Sequence, residues 1–255
     1  MKHRSWLVAA SLALALLASA SAQQPAAGAT DTLDPDAMAA LKKMGEYLRT
    51  LKAFQVKCDT VRDDILTDGE RVSYSGKVNM LIARPDRMRV EVKSDRQDRM
   101  YLYDAKNLTI WAGRLGYYAT IPAPPTLAEL DDRLVNKYDI ELPLRDLFYW
   151  GTEKASDASI TAATDIGPGD VEGVTCEHYA FRQPGADWQV WIQLGDYPLP
   201  RKMIITTTTD DARPVYSNTM TWNLAPSYNE DAFKFDPPAG AGKITVAEVK
   251  SAAGK

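Results

Sequence analysis

The chain has 255 residues, a formal net charge of −4, two cysteines and two histidines. A mildly acidic balance excludes nucleic acid as the main partner, which would call for a strong basic excess. The two cysteines and two histidines form no Cys/His cluster of the usual zinc spacing, and no cofactor is implied.

Met1 to Arg4 form a short basic start, Trp6 to Leu17 an apolar stretch of signal-peptide length, and Ala20-Ser21-Ala22 a small-residue cleavage site. Residues 1–22 therefore read as a secretory signal, with the mature protein starting near Gln23. The apolar run is shorter than the roughly 20 residues of a membrane span, and no later segment is long enough. Without a cysteine at the cleavage point for lipid attachment, the expected product is a soluble periplasmic protein without a transmembrane anchor. Cleavage removes Lys2 and Arg4 but no acid, which makes the surface more acidic still.

Residues 23–33, rich in Ala, Gln, Gly and Thr, read as a flexible lead-in to a single domain over residues 34–250. Asp34 and Pro35 open a helix whose Met38, Leu41, Met44, Leu48 and Leu51 keep helical spacing. From Phe54 the period becomes two. Phe54, Val56 and Cys58 share a face, Asp68-Gly69 turns the chain, and Val72, Tyr74, Val78, Met80 and Ile82 line the return strand. After Pro85-Asp86, Met88, Val90 and Val92 alternate with Arg87, Arg89, Glu91 and Lys93. Strands over 99–104, 108–112 and 117–121 complete a meander.

Pro122 to Pro125 end it. Thr126 caps a helix with Leu127, Leu130, Leu134 and Tyr138, and Leu144, Leu147 and Phe148 mark a second short one after Pro143. Strands resume over 171–183, 188–194, 201–209 and 215–224, with Tyr216, Met220, Trp222 and Leu224 on one face of the last. Roughly ten short antiparallel strands form too wide a sheet to stay flat, so the expected fold is mainly β, a curved sheet forming an unclosed barrel with about three helices on its concave side.

The inward face defines the candidate ligand cavity: Phe54, Val56, Val78, Met80, Ile82, Met88, Val90, Val92, Met100, Leu102, Ile110, Trp188, Val190, Ile192, Met220 and Trp222. Met and Trp suit a cavity that receives flexible chains, whereas the same residues closed over by helices would be ordinary core. The basic run Arg84, Arg87, Arg89, Lys93, Arg96 and Arg99 is interleaved with Asp86, Glu91, Asp95 and Asp98. It reads as a solvated sheet face, the alternative being contact with an anionic headgroup.

Catalytic chemistry is sparse. His178 is the only histidine after cleavage, no Gly-x-Ser-x-Gly elbow occurs, and no catalytic residue or metal ligand is nominated, so the chain is not read as an enzyme. Gly167-Pro168-Gly169 and Gly173 lack dinucleotide-binding spacing and read as loop. Cys176 and His178 share a strand face. Cys58 and Cys176 can form a disulfide in an oxidising compartment or stay as buried thiols.

Six stretches together resemble the domain of unknown function 2092 family of predicted periplasmic proteins: Arg84-Pro-Asp-Arg-Met-Arg-Val90, Ile140-Glu-Leu-Pro-Leu144, Cys176-Glu-His-Tyr-Ala-Phe-Arg182, Asp187-Trp-Gln-Val-Trp-Ile192, Pro198-Leu-Pro-Arg-Lys202 and Trp222-Asn-Leu-Ala-Pro226. That family is similar to the LolA-like lipoprotein carriers, whose fold is an unclosed barrel plugged by helices. The resemblance implies a periplasmic carrier that shelters a hydrophobic ligand, such as the acyl chain of a lipid or lipoprotein. It supplies no catalytic residues. The alternative is a periplasmic sensor or regulatory domain that binds an envelope protein partner, similar to envelope-stress regulators.

Overall fold

The computed structural model describes residues 32–152 and 157–249. The expected signal peptide, and the lead-in up to residue 31, lie outside them. Helix α1 (Pro35–Thr50) begins where Asp34 accepts hydrogen bonds from the Asp36 and Ala37 amides at 2.8 and 3.2 Å, with Pro35 in the first turn. Ala37, Leu41, Met44 and Leu48 form its buried stripe.

A meander follows: β1 (Ala53–Ile65), β2 (Arg71–Ala83), β3 (Arg87–Ser94), β4 (Asp98–Tyr103), β5 (Asn107–Ala112) and β6 (Tyr117–Pro122). Helix α2 (Leu127–Arg133) runs on into a π-helical turn over Leu134–Tyr138, and α3 is the single turn Asp146–Tyr149. The second meander is β7 (Ala162–Val171), β8 (Val174–Gln183), β9 (Ala186–Gln193), β10 (Pro200–Thr207) and β11 (Val215–Asn223). A two-residue β12 (Gly242–Lys243) comes last.

The strands form one sheet in the order β12-β6-β5-β4-β3-β2-β1-β11-β10-β9-β8-β7. Every pairing is antiparallel except β12 with β6. The two meanders join where β1 pairs with β11, Val56 opposite Trp222 and Cys58 opposite Met220. The curved sheet does not close. Its inner-face apolar residues, α1, Leu130 and Leu134 of the α2 region, and Leu147 and Phe148 of α3 share one core. Mainly β, unclosed and plugged from the concave side, this is the expected fold.

Three local expectations are corrected. The segment 162–171, including Gly167-Pro168-Gly169, is strand β7 and not loop. A proline is tolerated there because β7 is an edge strand, and the ladder to β8 is irregular between Asp165 and Gly167. The chain then reverses at Glu172-Gly173, both at positive φ, which divides the expected strand over 171–183.

The second correction concerns β4. Val90 pairs with Tyr101 and Met88 with Tyr103, so the tyrosines face inward, while Met100 and Leu102, expected inside, share the outer face with Glu91 and Arg89. Both faces of β4 are apolar because the chain after β11 crosses the outer face. Phe233 is buried there and Phe235 packs on Trp111 and Tyr118, with ring centroids 6.0 and 5.1 Å apart. Leu102 and Phe233 are both buried yet stand apart from the central core.

The third concerns the cysteines, which are free and buried. Cys58 lies on the inner face of β1 opposite Val78, whereas Cys176, on β8 opposite Gln193, points outward. Four inter-strand steps separate β1 from β8, roughly 19 Å at the spacing of a sheet. A disulfide needs alpha carbons within about 7 Å, so this pair is not bridged.

Candidate binding cavity

The concave face has a packed half and an open half. Phe54, Val56, Met80, Ile82, Met88 and Val90 are fully buried within the core that α1 shares, and Val190 and Ile192 are buried on β9. Ile110 and Trp222 are partly buried against that core. Toward the β1–β2 hairpin the same inner face turns polar, with Thr60, Arg62 and Asp64 on β1 opposite Gly76, Tyr74 and Val72 on β2. A cavity of about 710 Å³ opens between this half of the sheet and residues 141–150.

Its apolar wall includes Val78, Val92, Met203, Ile205, Met220 and Trp150. A second cavity, about 420 Å³, lies on the other side of α3 and takes in Trp188 and Ile160. Arg145, Asp146, Trp150, Met203 and Ile205 border both. The single turn of α3 is thus a plug between two voids. Of the residues nominated from sequence, Val78, Val92, Met220 and Trp188 line a void. Most of the others form the wall behind it, and Met100 and Leu102 face away.

The plug is fastened by charge. Asp131 of α2 is 0 % exposed, and its Oδ2 accepts from Arg145 Nη2 at 2.9 Å and from the Tyr149 hydroxyl. Burial works against the Arg145 charge, but its bonds to Tyr149 and Asp131 outweigh that and raise its pKa. Burial, with the bond to Asp131, pushes Tyr149 up to about 12. Asp131 Oδ1 and Arg145 Nε remain without partners. Asp146 carries accessible surface, but that surface borders the two voids, and its enclosed setting raises its carboxyl pKa.

On the opposite wall, Asn218 of β11 is 3 % exposed and its Oδ1 has no hydrogen-bond partner. It sits opposite Thr60 and Met203 on the neighbouring strands. Tyr216, two residues before it, is pushed up to about 12 by burial. Extending the inward alternation of β1 and β11 by two residues at a time reaches Thr60, Arg62, Tyr216 and Asn218. Their polarity hides them from apolar periodicity, although they keep the inward register.

His178 lies on the outer face, stacked on Trp191 at 3.8 Å and bonded through Nε2 to Gln189 Oε1 at 2.9 Å. Burial lowers its pKa. It shares a face with Cys176, as expected, and lines neither void.

Residues 37–247 match the family described as predicted periplasmic protein, DUF2092. The chain belongs to this family. The periplasmic location expected for this DUF2092 protein agrees with that description, and among the described residues no helix is long and apolar enough to cross a membrane. No functionally curated protein matches the sequence.

Among solved structures, an uncharacterized conserved protein from Thermus thermophilus is similar at 12 % identity and a TM-score of 0.48, covering 82 % of this chain and 99 % of that one. The lipoprotein LppX from Mycobacterium tuberculosis has 12 % identity and a TM-score of 0.48, with 77 % and 100 % covered. A LolA superfamily protein from Nitrosomonas europaea has 10 % identity and a TM-score of 0.39, with 78 % and 97 % covered.

Proposed function

We propose that this DUF2092 protein is a periplasmic carrier that shelters the acyl chain of a lipid or lipoprotein on the concave face of its open sheet. The observation that carries the reading is the 710 Å³ cavity with its apolar wall, closed over by residues 141–150 and the one-turn plug α3. That volume lies within the range of small-molecule sites, about 300–1,000 Å³. Burial of chain surface there would contribute about 25 cal/mol per Å². Val78, Val92 and Met220 would touch the chain, with Trp188 in the second void beyond α3. The other nominated residues, apart from the outward Met100 and Leu102, would hold the wall rigid. Release would follow movement of α2 and α3 on the prolines at 122–125 and at 143.

A sensor that binds an envelope protein through its surface needs no interior void, so the two voids favour the carrier. Nor does the reading assign a catalytic residue. The test is native mass spectrometry of protein purified from the periplasm, followed by organic extraction and lipid identification. A co-purifying acyl species near one per chain is the expected result. A clean apo mass, unchanged after incubation with membrane lipids, would overturn the carrier reading.

A further inference from the structure

The basic run between β2 and β4 is divided by the sheet. Arg87, Arg89 and Lys93 pair with Ala83, Leu81 and Lys77 on the outer face. Arg99 pairs with the inward Val92 and lines the cavity, as does Arg96 in the turn before it. Among the charged groups of the cavity wall, Arg62 is taken up by Asp64 at 2.9 Å, and Arg145 by Asp131 at 2.9 Å and Glu141 at 3.6 Å. Arg96 and Arg99 have no carboxylate partner among the described residues. Arg96 lies over the Tyr74 ring, 4.3 Å from its centroid, and donates to the Tyr74 hydroxyl. A guanidinium stacked in this way keeps its remaining N–H groups in a fixed plane, ready for carboxylate or phosphate.

Arg96 and Arg99 are both exposed at the mouth of the cavity, where two cations without carboxylate partners attract an anion, and the charge-assisted hydrogen bonds they offer are stronger than neutral ones. Val92 lies between them and the apolar wall of Val78 and Met220, so the cationic end and the chain surface are continuous. Farther along, the unpartnered Asn218 Oδ1 calls for a hydrogen-bond donor, which a ligand hydroxyl would supply.

Resting on the carrier reading, we propose that the ligand is an anionic amphiphile: a carboxylate or phosphate headgroup on Arg96 and Arg99, with its chain running over Val78, Val92 and Met220 toward α3.

The test compares palmitate, 1-palmitoyl-lysophosphatidate, neutral 1-palmitoylglycerol and inorganic phosphate by calorimetry. Each is titrated into wild type, Arg96→Gln and Arg99→Gln, with thermal melts as the control for folding. Both anionic lipids are expected to bind wild type about tenfold more tightly than the neutral one, the worth of one charge-assisted bond. Each variant should erase that preference and leave 1-palmitoylglycerol unchanged. Which anionic lipid binds more tightly separates a carboxylate from a phosphate site.

Equal binding of neutral and anionic lipids, or variants that weaken all three alike, would overturn the proposal while the carrier reading stands. Inorganic phosphate binding as tightly as lysophosphatidate would make this a site for a free anion and also overturn it. Failure of every lipid, the neutral one included, sinks the carrier reading itself. If a variant does not fold, the salt dependence of wild type decides: the anionic preference must shrink between low and high ionic strength.

Discussion

Asp146 is the residue whose setting has the clearest measurable consequence. Its carboxyl borders both voids and faces Arg145, Asp131 and Glu141 on its own side and Tyr216 on the sheet. Burial raises its folded pKa above the ordinary carboxylate value of about 3.9. Between those two values the folded protein binds more proton than the unfolded chain, so stability falls as pH rises through that window. Asp146→Asn removes the titration. Thermal melts from pH 4 to pH 8 are expected to show the variant gaining on wild type as pH rises; parallel curves would place the carboxyl in ordinary solvent.

At the scale of elements, α1 and the end of α3 meet backbone to backbone. A β-carbon added to Gly45 would clash with the Gly151 backbone, and one added to Gly151 with that of Gly45. Gly151 also has φ +75°, which disfavours any side chain. Gly45→Ala is therefore expected to lower stability by about 1–3 kcal/mol through overpacking, although alanine favours a helix. Denaturant unfolding measures it, and an unchanged midpoint would mean that α3 moves aside without cost.

This contact was not legible in the sequence, where Gly45 is one glycine inside a helical pattern. The strands β1 to β3 were legible because each alternates an apolar inner face with a polar outer one, as Met88, Val90 and Val92 against the half-buried Arg87, Arg89 and Glu91 illustrate. In β4 that contrast fails. Residues after β11 shield its outer face, so Met100 and Leu102 carry the same apolar signal as Tyr101 and Tyr103. As for β7, an edge strand with exposed positions and an internal Gly-Pro-Gly alternates too weakly to be told from loop. The cavity itself follows from how far the plug reaches along the sheet, and no local pattern records that. The polar ends of β1 and β11 do lie in register with the predicted inward face, so the alternation reached the site but stopped at its apolar part.

For the molecule as a whole, free cysteines mean that stability comes from packing with no covalent staple. Burial pushes the Cys58 thiol up to about 12 and raises that of Cys176, so neither is poised as a thiolate at neutral pH. A melt of the protein isolated from the periplasm is expected to be the same with and without reductant. Thiol titration should find both cysteines only after unfolding. A reductant-sensitive melt would require the two faces of the sheet to be linked in some other arrangement.

The two meanders end in β7 on one side and β6 on the other, and each margin is held by a short segment from outside the meanders. Leu33 bridges to Ala163, with the Asp34 amide donating to the Ala163 carbonyl and the Ala163 amide to that of Thr32, both at 3.0 Å. Gly242–Lys243 occupies the β6 margin. Unpaired strand margins are templates for pairing with another chain. These few residues act as hems, and a preparation trimmed at either hem is expected to become sticky, forming edge-to-edge assemblies, before it loses its fold.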